Sequence, residues 1–217
     1  MIIKSKPIPF IFLRWGTAMM YRIFRRRFNK MIIHDIEIKP NCSYLLMCNH
    51  FSFLDGFLAM YLTMHGITSK QALRGFYMMS LKKQMQKNWW LKYLGAFSVV
   101  PGSRTTEESL NFAVDILNQP GNLLLYYPQA DLESMHIRDI EFKDGVATII
   151  SRLQGDCQLI WSSNILEFFE SISPSVYFNM LDCGMNHNFD FEKMKKNVNV
   201  HHKKSLRKMV RYTKESL

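Results

Sequence analysis

No run of eighteen apolar residues occurs in the chain, which argues against an ordinary membrane-spanning helix. The longest candidate, residues 8–21, is short and is broken by Arg14. Cysteine is scarce, and Cys42, Cys48, Cys157 and Cys183 show no C-x-x-C spacing. That leaves a zinc ribbon or a redox pair unsignalled, and the four read as reduced core thiols of a cytoplasmic protein. No metal is expected: His187, His201 and His202 lack the spacing and the accompanying acids of a ligand set and read as a solvated basic tail. There is no G-x-S-x-G and no Walker-type glycine-rich loop, so neither a serine hydrolase nor a P-loop enzyme is supported. No small-residue cleavage site follows an apolar core, so no secretory signal is expected. Nor is there a helix-turn-helix, a zinc finger or an RNP-like string, and a nucleic-acid partner is not expected despite the formal net charge of +10.

One further absence is local. The first thirty residues contain no acid, but they hold Lys4, Lys6, Arg14, Arg22, Arg25, Arg26, Arg27 and Lys30. Residues 191–217 are also basic, so a mildly acidic body wears basic ends. Within the first segment Phe10, Leu13, Thr17, Met20, Tyr21, Phe24 and Phe28 fall on one side of a helix, and Arg22, Arg25, Arg26 and Lys30 fall away from it. Such a helix suits the headgroup layer of an anionic membrane, with Arg22, Arg25, Arg26 and Arg27 as membrane-binding residues. The alternative is a surface helix that packs its stripe on the domain and leaves its basic face in water. The expected organisation is a basic interfacial segment over 1–30 and one α/β domain over 31–217, placed peripherally on the cytoplasmic face of a membrane.

The body alternates. Residues 31–38 and 44–48 read as strands around the turn Lys39-Pro40-Asn41-Cys42, and 53–64 reads as a helix. Strand patterns at 72–79, 96–100, 122–127, 158–161 and 176–180 alternate with helical ones at 81–93, 106–118, 145–154 and 205–216. Strands alternating with helices predict an α/β domain with a mixed, largely parallel sheet flanked by helices. Trp89 and Trp90, between Lys87 and Lys92, read equally as an interfacial anchor and as core.

The chemistry concentrates at Cys48-Asn49-His50-Phe51-Ser52-Phe53-Leu54-Asp55, where a strand pattern gives way to a helix. His50 and Asp55 stand at H-x4-D spacing, which lets a carboxylate on the first helical turn fold back onto an imidazole in the loop. A histidine whose one nitrogen is so held presents the other as a general base. The plainer reading is a capping box, with Ser52 and Asp55 satisfying helix amides and His50 a buried core residue.

Asn-His-x4-Asp after an apolar strand resembles the signature of the lysophospholipid acyltransferase superfamily, the PlsC-like glycerolipid acyltransferases. Further blocks follow in order. Leu94-Gly95-Ala96-Phe97-Ser98-Val99-Val100, reaching Arg104, is similar to the family's Gly-led strand ending at an arginine. Leu124-Leu125-Tyr126-Tyr127-Pro128-Gln129-Ala130 stands where the family has a strand ending in F-P-E-G, and Phe142-Lys143-Asp144-Gly145-Val146 resembles its F-K-x-G-A. The resemblance implies His50 and Asp55 as the catalytic pair and Asn49, Ser52, Arg104, Tyr127, Gln129, Ala130 and Arg138 as substrate-binding residues. It implies no cofactor, but acyl-coenzyme A or an acyl carrier protein as donor and a lipid-like hydroxyl as acceptor. Gln129 and Ala130 depart from the family's glutamate and glycine, which points away from lysophosphatidate towards another hydroxyl-bearing lipid. A non-catalytic lipid-binding protein on the same fold is the rival expectation.

The acid-free first segment predicts binding to anionic but not to neutral vesicles, because each Lys or Arg near an anionic leaflet contributes about 1 kcal/mol. Sedimentation with vesicles should weaken with salt and on neutralising Arg25, Arg26 and Arg27. Equal binding to neutral vesicles at low and high salt would remove the electrostatic argument.

Overall fold

The computed structural model describes residues 1–168 and 171–209. Helix α1 (Phe10–Arg25) precedes strand β1 (Met31–His34), and β2 (Ser43–Cys48) leads into α2 (Asp55–Leu62). A single π-helical turn, Thr63–Ile67, extends α2 before β3 (Gly75–Leu81), α3 (Lys82–Lys87) and a 3-10 turn at Trp89–Leu94. Then come β4 (Ala96–Val99), α4 (Thr106–Leu117), β5 (Asn122–Tyr126), α5 (Gly145–Ser151), β6 (Cys157–Glu167), β7 (Ser175–Met185) and α6 (Phe191–Met209).

The seven strands lie in the order β1-β7-β6-β2-β5-β3-β4. Every pairing is parallel except that of β6 with β7, so the sheet is mixed and largely parallel as expected. The central strands are buried on both faces, which is why β2 and β5 read as unbroken apolar runs. Period-two alternation splits them between two cores. Leu45, Met47, Leu124 and Trp161 face α4, α5 and α6, where Ala113, Leu117, Val146, Ile149 and Val198 meet them. Tyr44, Leu46, Leu123, Leu125 and Ile160 face the other way, against Leu58, Ala59 and Leu62 of α2 and Leu13 of α1. The result is a sheet between two helical layers.

Helix α1 presents its faces differently from the interfacial reading. Leu13 is buried, Phe10 and Phe28 pack on the second core, and Tyr21 stacks on Tyr61 of α2 with centroids 5.3 Å apart. The stripe therefore turns inward, while Ile11, Phe12, Trp15 and Met19 are left exposed. Arg22, Arg25, Arg26 and Arg27 are exposed as well. The side chains of Met20 and Phe24 lie outside the described set.

Other boundaries move for local reasons. The helix expected over 81–93 breaks at Asn88, whose ψ of 67° ends α3, and Trp89 and Trp90 stay exposed on the turn that follows. Helix α6 starts well before Ser205, because Asp190 accepts the Lys193 amide at 3.0 Å and so caps it. Residues 210–216 of the expected terminal helix lie outside the described residues. His202 is not part of a solvated tail. It is fully buried, donates from Nε2 to the Ile137 carbonyl at 3.1 Å and meets the Ser163 hydroxyl at 3.0 Å through Nδ1. Burial pushes its pKa down, since a charged ring there would lose its water.

Residues 1–8 lie along the free side of β4. The Ser98 amide donates to the Ile3 carbonyl at 2.9 Å, the Ile3 amide donates to Ser98 Oγ at 2.7 Å, and Lys6 and Ile8 donate to the carbonyls of Lys92 and Tyr93. This strap covers an edge that would otherwise offer unpaired groups to another chain.

Gly95 sits where β4 begins, with φ of +90°, and a Cβ there would lie 2.0 Å from the Phe76 carbonyl oxygen of β3. Gly95→Ala should cost about 3 kcal/mol, from a left-handed backbone and a clash with backbone that cannot retreat. For a domain of this size that is a fall in Tm of roughly 6–12 °C, readable by calorimetry. An unchanged Tm would refute the close approach.

Candidate active site

Strand β2 ends at Cys48, and the loop beyond it wraps around one carboxylate. Asp55, the first residue of α2, is completely buried. Its Oδ2 lies 2.8 Å from His50 Nδ1 and accepts the backbone amides of Phe51 at 2.7 Å and Ser52 at 2.9 Å. The Ser52 contact is the reach-back expected of a capping box, and the same oxygen also takes the Phe51 amide and the His50 ring. Ser52 Oγ accepts the Leu54 amide at 3.1 Å in a local turn. A carboxylate only accepts, so the shared hydrogen sits on Nδ1 and leaves Nε2 with its lone pair. The His50 side chain keeps 24% of its surface open, against none for Asp55.

Three neighbours fix the loop. Asn49 is buried and makes a two-way clamp on β6: its Oδ1 accepts the Asn164 amide at 2.7 Å and its Nδ2 donates to the Asn164 carbonyl at 2.9 Å. Both ends of its amide are thus committed to backbone. Tyr127, at the end of β5, stacks on the His50 ring with centroids 4.2 Å apart and planes 22° from parallel. Burial, with smaller contributions from Cys48 and Asp55, pushes its phenol well above the usual range. Gln129 accepts the His50 amide on Oε1 at 2.8 Å, and its Nε2 donates to the Glu133 carboxylate. The Glu133 amide in turn donates to the His50 carbonyl at 2.9 Å.

The structure therefore gathers His50, Asp55, Asn49, Ser52, Tyr127 and Gln129 into one constellation. Arg104 and Arg138 are exposed and make no hydrogen bond or ion pair with any of these groups. Glu133 and Asn164 belong to the constellation and were not read from the sequence. Nothing in the local pattern marks Glu133, and Asn164 looks like an interruption of its strand. The departure at Gln129 also changes meaning, because a carboxylate reaches the same amide from Glu133. Among the described residues no group of His, Cys, Asp and Glu is placed to hold a metal ion.

Ala130 has φ of +67°, a left-handed conformation that an alanine adopts at a cost of about 1–2 kcal/mol. It lets the chain turn so that the Ala130 amide donates to the Tyr127 carbonyl at 3.1 Å.

A family model described as Acyltransferase matches residues 30–160. No curated protein matches the chain. Among solved structures, the 1-acyl-sn-glycerophosphate (LPA) acyltransferase PlsC from Thermotoga maritima is similar, with a TM-score of 0.60 at 15% identity. The match covers 92% of this chain and 80% of that one, and it shows a shared fold, a mixed sheet flanked by helices.

Ala130→Gly should raise stability by about 0.5–1 kcal/mol, the relief of strain outweighing the extra freedom of glycine in the unfolded chain. Denaturant titration would read this as a higher midpoint at unchanged slope, and a lower midpoint would contradict the strained turn.

Proposed function

The chain belongs to the acyltransferase family, and on that footing we propose that it moves a fatty acyl group from a thioester donor to a hydroxyl of a lysophospholipid-like or other lipid acceptor. The donor is acyl-coenzyme A or an acyl carrier protein. The observation that carries the mechanism is the 2.8 Å contact between His50 Nδ1 and Asp55 Oδ2, which leaves Nε2 as the free base of a partly exposed ring. Nε2 takes the proton of the acceptor hydroxyl as its oxygen attacks the thioester carbonyl. The carbonyl becomes a tetrahedral oxyanion, which asks for backbone N–H donors beside it. Collapse breaks the C–S bond, and the imidazolium returns its proton to the departing thiolate. Asp55 stabilises the imidazolium in between and keeps the ring in register.

A lipid substrate is supported by what surrounds the dyad. Phe53 and Leu54, between His50 and Asp55, are 71% and 40% exposed, and Leu132, beside the Gln129–Glu133 contact, is 58% exposed. Large apolar side chains on the loops that carry a polar site suit an acyl chain or a bilayer surface. Among the described residues no helix is long and apolar enough to cross a membrane. The proposed placement is peripheral, on the cytoplasmic face, with the exposed arginines of α1 towards anionic lipid and Ile11, Phe12, Trp15 and Met19 as its apolar contacts. A lipid carrier without catalysis has no use for a base oriented by a buried carboxylate.

His50→Ala should lower acyl transfer at least about a hundredfold, since such base catalysis contributes 10²–10⁴-fold. Coenzyme A release from oleoyl-coenzyme A, with lysophosphatidate and a panel of other hydroxyl lipids, measures it. A folded His50→Ala protein with near-normal turnover would refute the base assignment.

A further inference from the structure

Every hydrogen-bonding group of His50 that faces protein is held, and two of the holding groups depend on one half-exposed residue. The ring is set by Asp55 and Tyr127, the backbone N–H by Gln129 Oε1, and the backbone carbonyl by the Glu133 amide. An amide side chain such as Gln129 has two ends of nearly identical shape and opposite hydrogen-bonding sense. Only its oxygen end serves His50, because Nε2 turned that way would set donor against donor. Gln129 is itself buried, so water is not at hand to absorb the error. What decides the orientation is the group at its other end. A carboxylate accepts and never donates while ionised, so Glu133 claims Nε2 and thereby turns Oε1 to the His50 amide.

We propose that Glu133 is a positioning residue of the acyl-transfer site, fixing the His50 base through the side chain of Gln129 as well as through its own backbone amide. The inference rests on His50 acting as the base. Gln129 and Glu133 form a single unit, one amide and one carboxylate, whose charge belongs to the pair. Two carboxylates in this place would repel, and two groups that both donate would leave His50 unpinned. A cation at 133 would attract Oε1 and turn the amide the wrong way.

The test compares Glu133→Lys, Glu133→Gln, Gln129→Glu and the exchange Gln129→Glu with Glu133→Gln. Each is assayed as coenzyme A release from oleoyl-coenzyme A in phosphatidylglycerol vesicles, with the hydroxyl lipid of that panel that the unsubstituted protein turns over fastest. Glu133→Lys should lower kcat at least tenfold while KM for the donor moves less than twofold. Glu133→Gln keeps an acceptor oxygen and should recover most of that loss. Gln129→Glu places two carboxylates in contact, so one of them titrates late and kcat should fall as the pH rises through that ionisation. The exchange restores one carboxylate and one amide and should abolish the fall. A merely structural role would give none of this pH dependence.

A second readout needs no acceptor. The rate at which diethyl pyrocarbonate modifies His50, mapped by peptide mass, should change at least threefold in Glu133→Lys and return in Glu133→Gln. If Glu133→Lys matches wild type in kcat and in His50 modification while His50→Ala is inactive, the positioning role is overturned and the base assignment stands. If His50→Ala is itself active, the proposed function has failed instead.

Discussion

Asp55 has no contact with solvent, and a carboxylate in that position costs several kcal/mol unless donors are brought to it. The loop from His50 to Ser52 meets this demand at one of the two oxygens, by curling its own amides and ring onto Oδ2. The shape of the loop is therefore dictated by the charge it encloses. The same constraint sets the hydrogen on Nδ1 and leaves Nε2 as the ring's acceptor. The fold then only has to stop the loop from moving as a whole, which Asn49 and Gln129 do from opposite sides.

The clamp on Asn164 joins the site to a polar layer inside an apolar sheet. Asn164 also accepts the Ser162 hydroxyl at 2.8 Å on Oδ1, and its neighbour Ser163 accepts the indole N–H of Trp161 at 2.9 Å and meets His202 of α6. Buried polar groups weaken a core unless each finds a partner, and satisfied ones fix a single arrangement. Here the paired atoms, though not Asn164 Nδ2, register β6 against the β2 loop on one side and α6 on the other. Helix α6 thus reaches the catalytic loop through Ser163 and Asn164.

The parts of the fold legible in the sequence are those whose burial is uniform. Strands β2 and β5 are apolar throughout and sit in the middle of a parallel sheet, and α4 carries its acids in its first turn and its apolar stripe at helical spacing. Strand β6 is legible only at its start, because Ser162, Ser163 and Asn164 interrupt the apolar pattern although they are fully buried. Helix α6 is legible only from Ser205, because Lys and His are frequent in it while Met194, Val198 and His202 do its packing. In α1 periodicity picked out Phe10, Leu13 and Tyr21 as one face, but periodicity cannot say whether a face meets protein or lipid. At the site, His50 and Asp55 were readable because their spacing within one turn is itself a geometry. Glu133 was not, because its meaning comes from a buried amide four residues earlier and from a strand that arrives from elsewhere.

The strap of residues 1–8 and strand β1 have a bearing on time as well as on shape. Ile3 is held by Ser98, ninety-five residues later, and Met31 pairs with Val176. A chain growing from its N-terminus makes strap, α1 and β1 before either partner exists. These segments close the two opposite margins of the sheet, and both depend on pairings of longer sequence separation than that of β2 with β5. Contacts of such separation are slow to form. During that interval the basic, acid-free first segment waits undocked, and the sheet's last edges stay open until it returns.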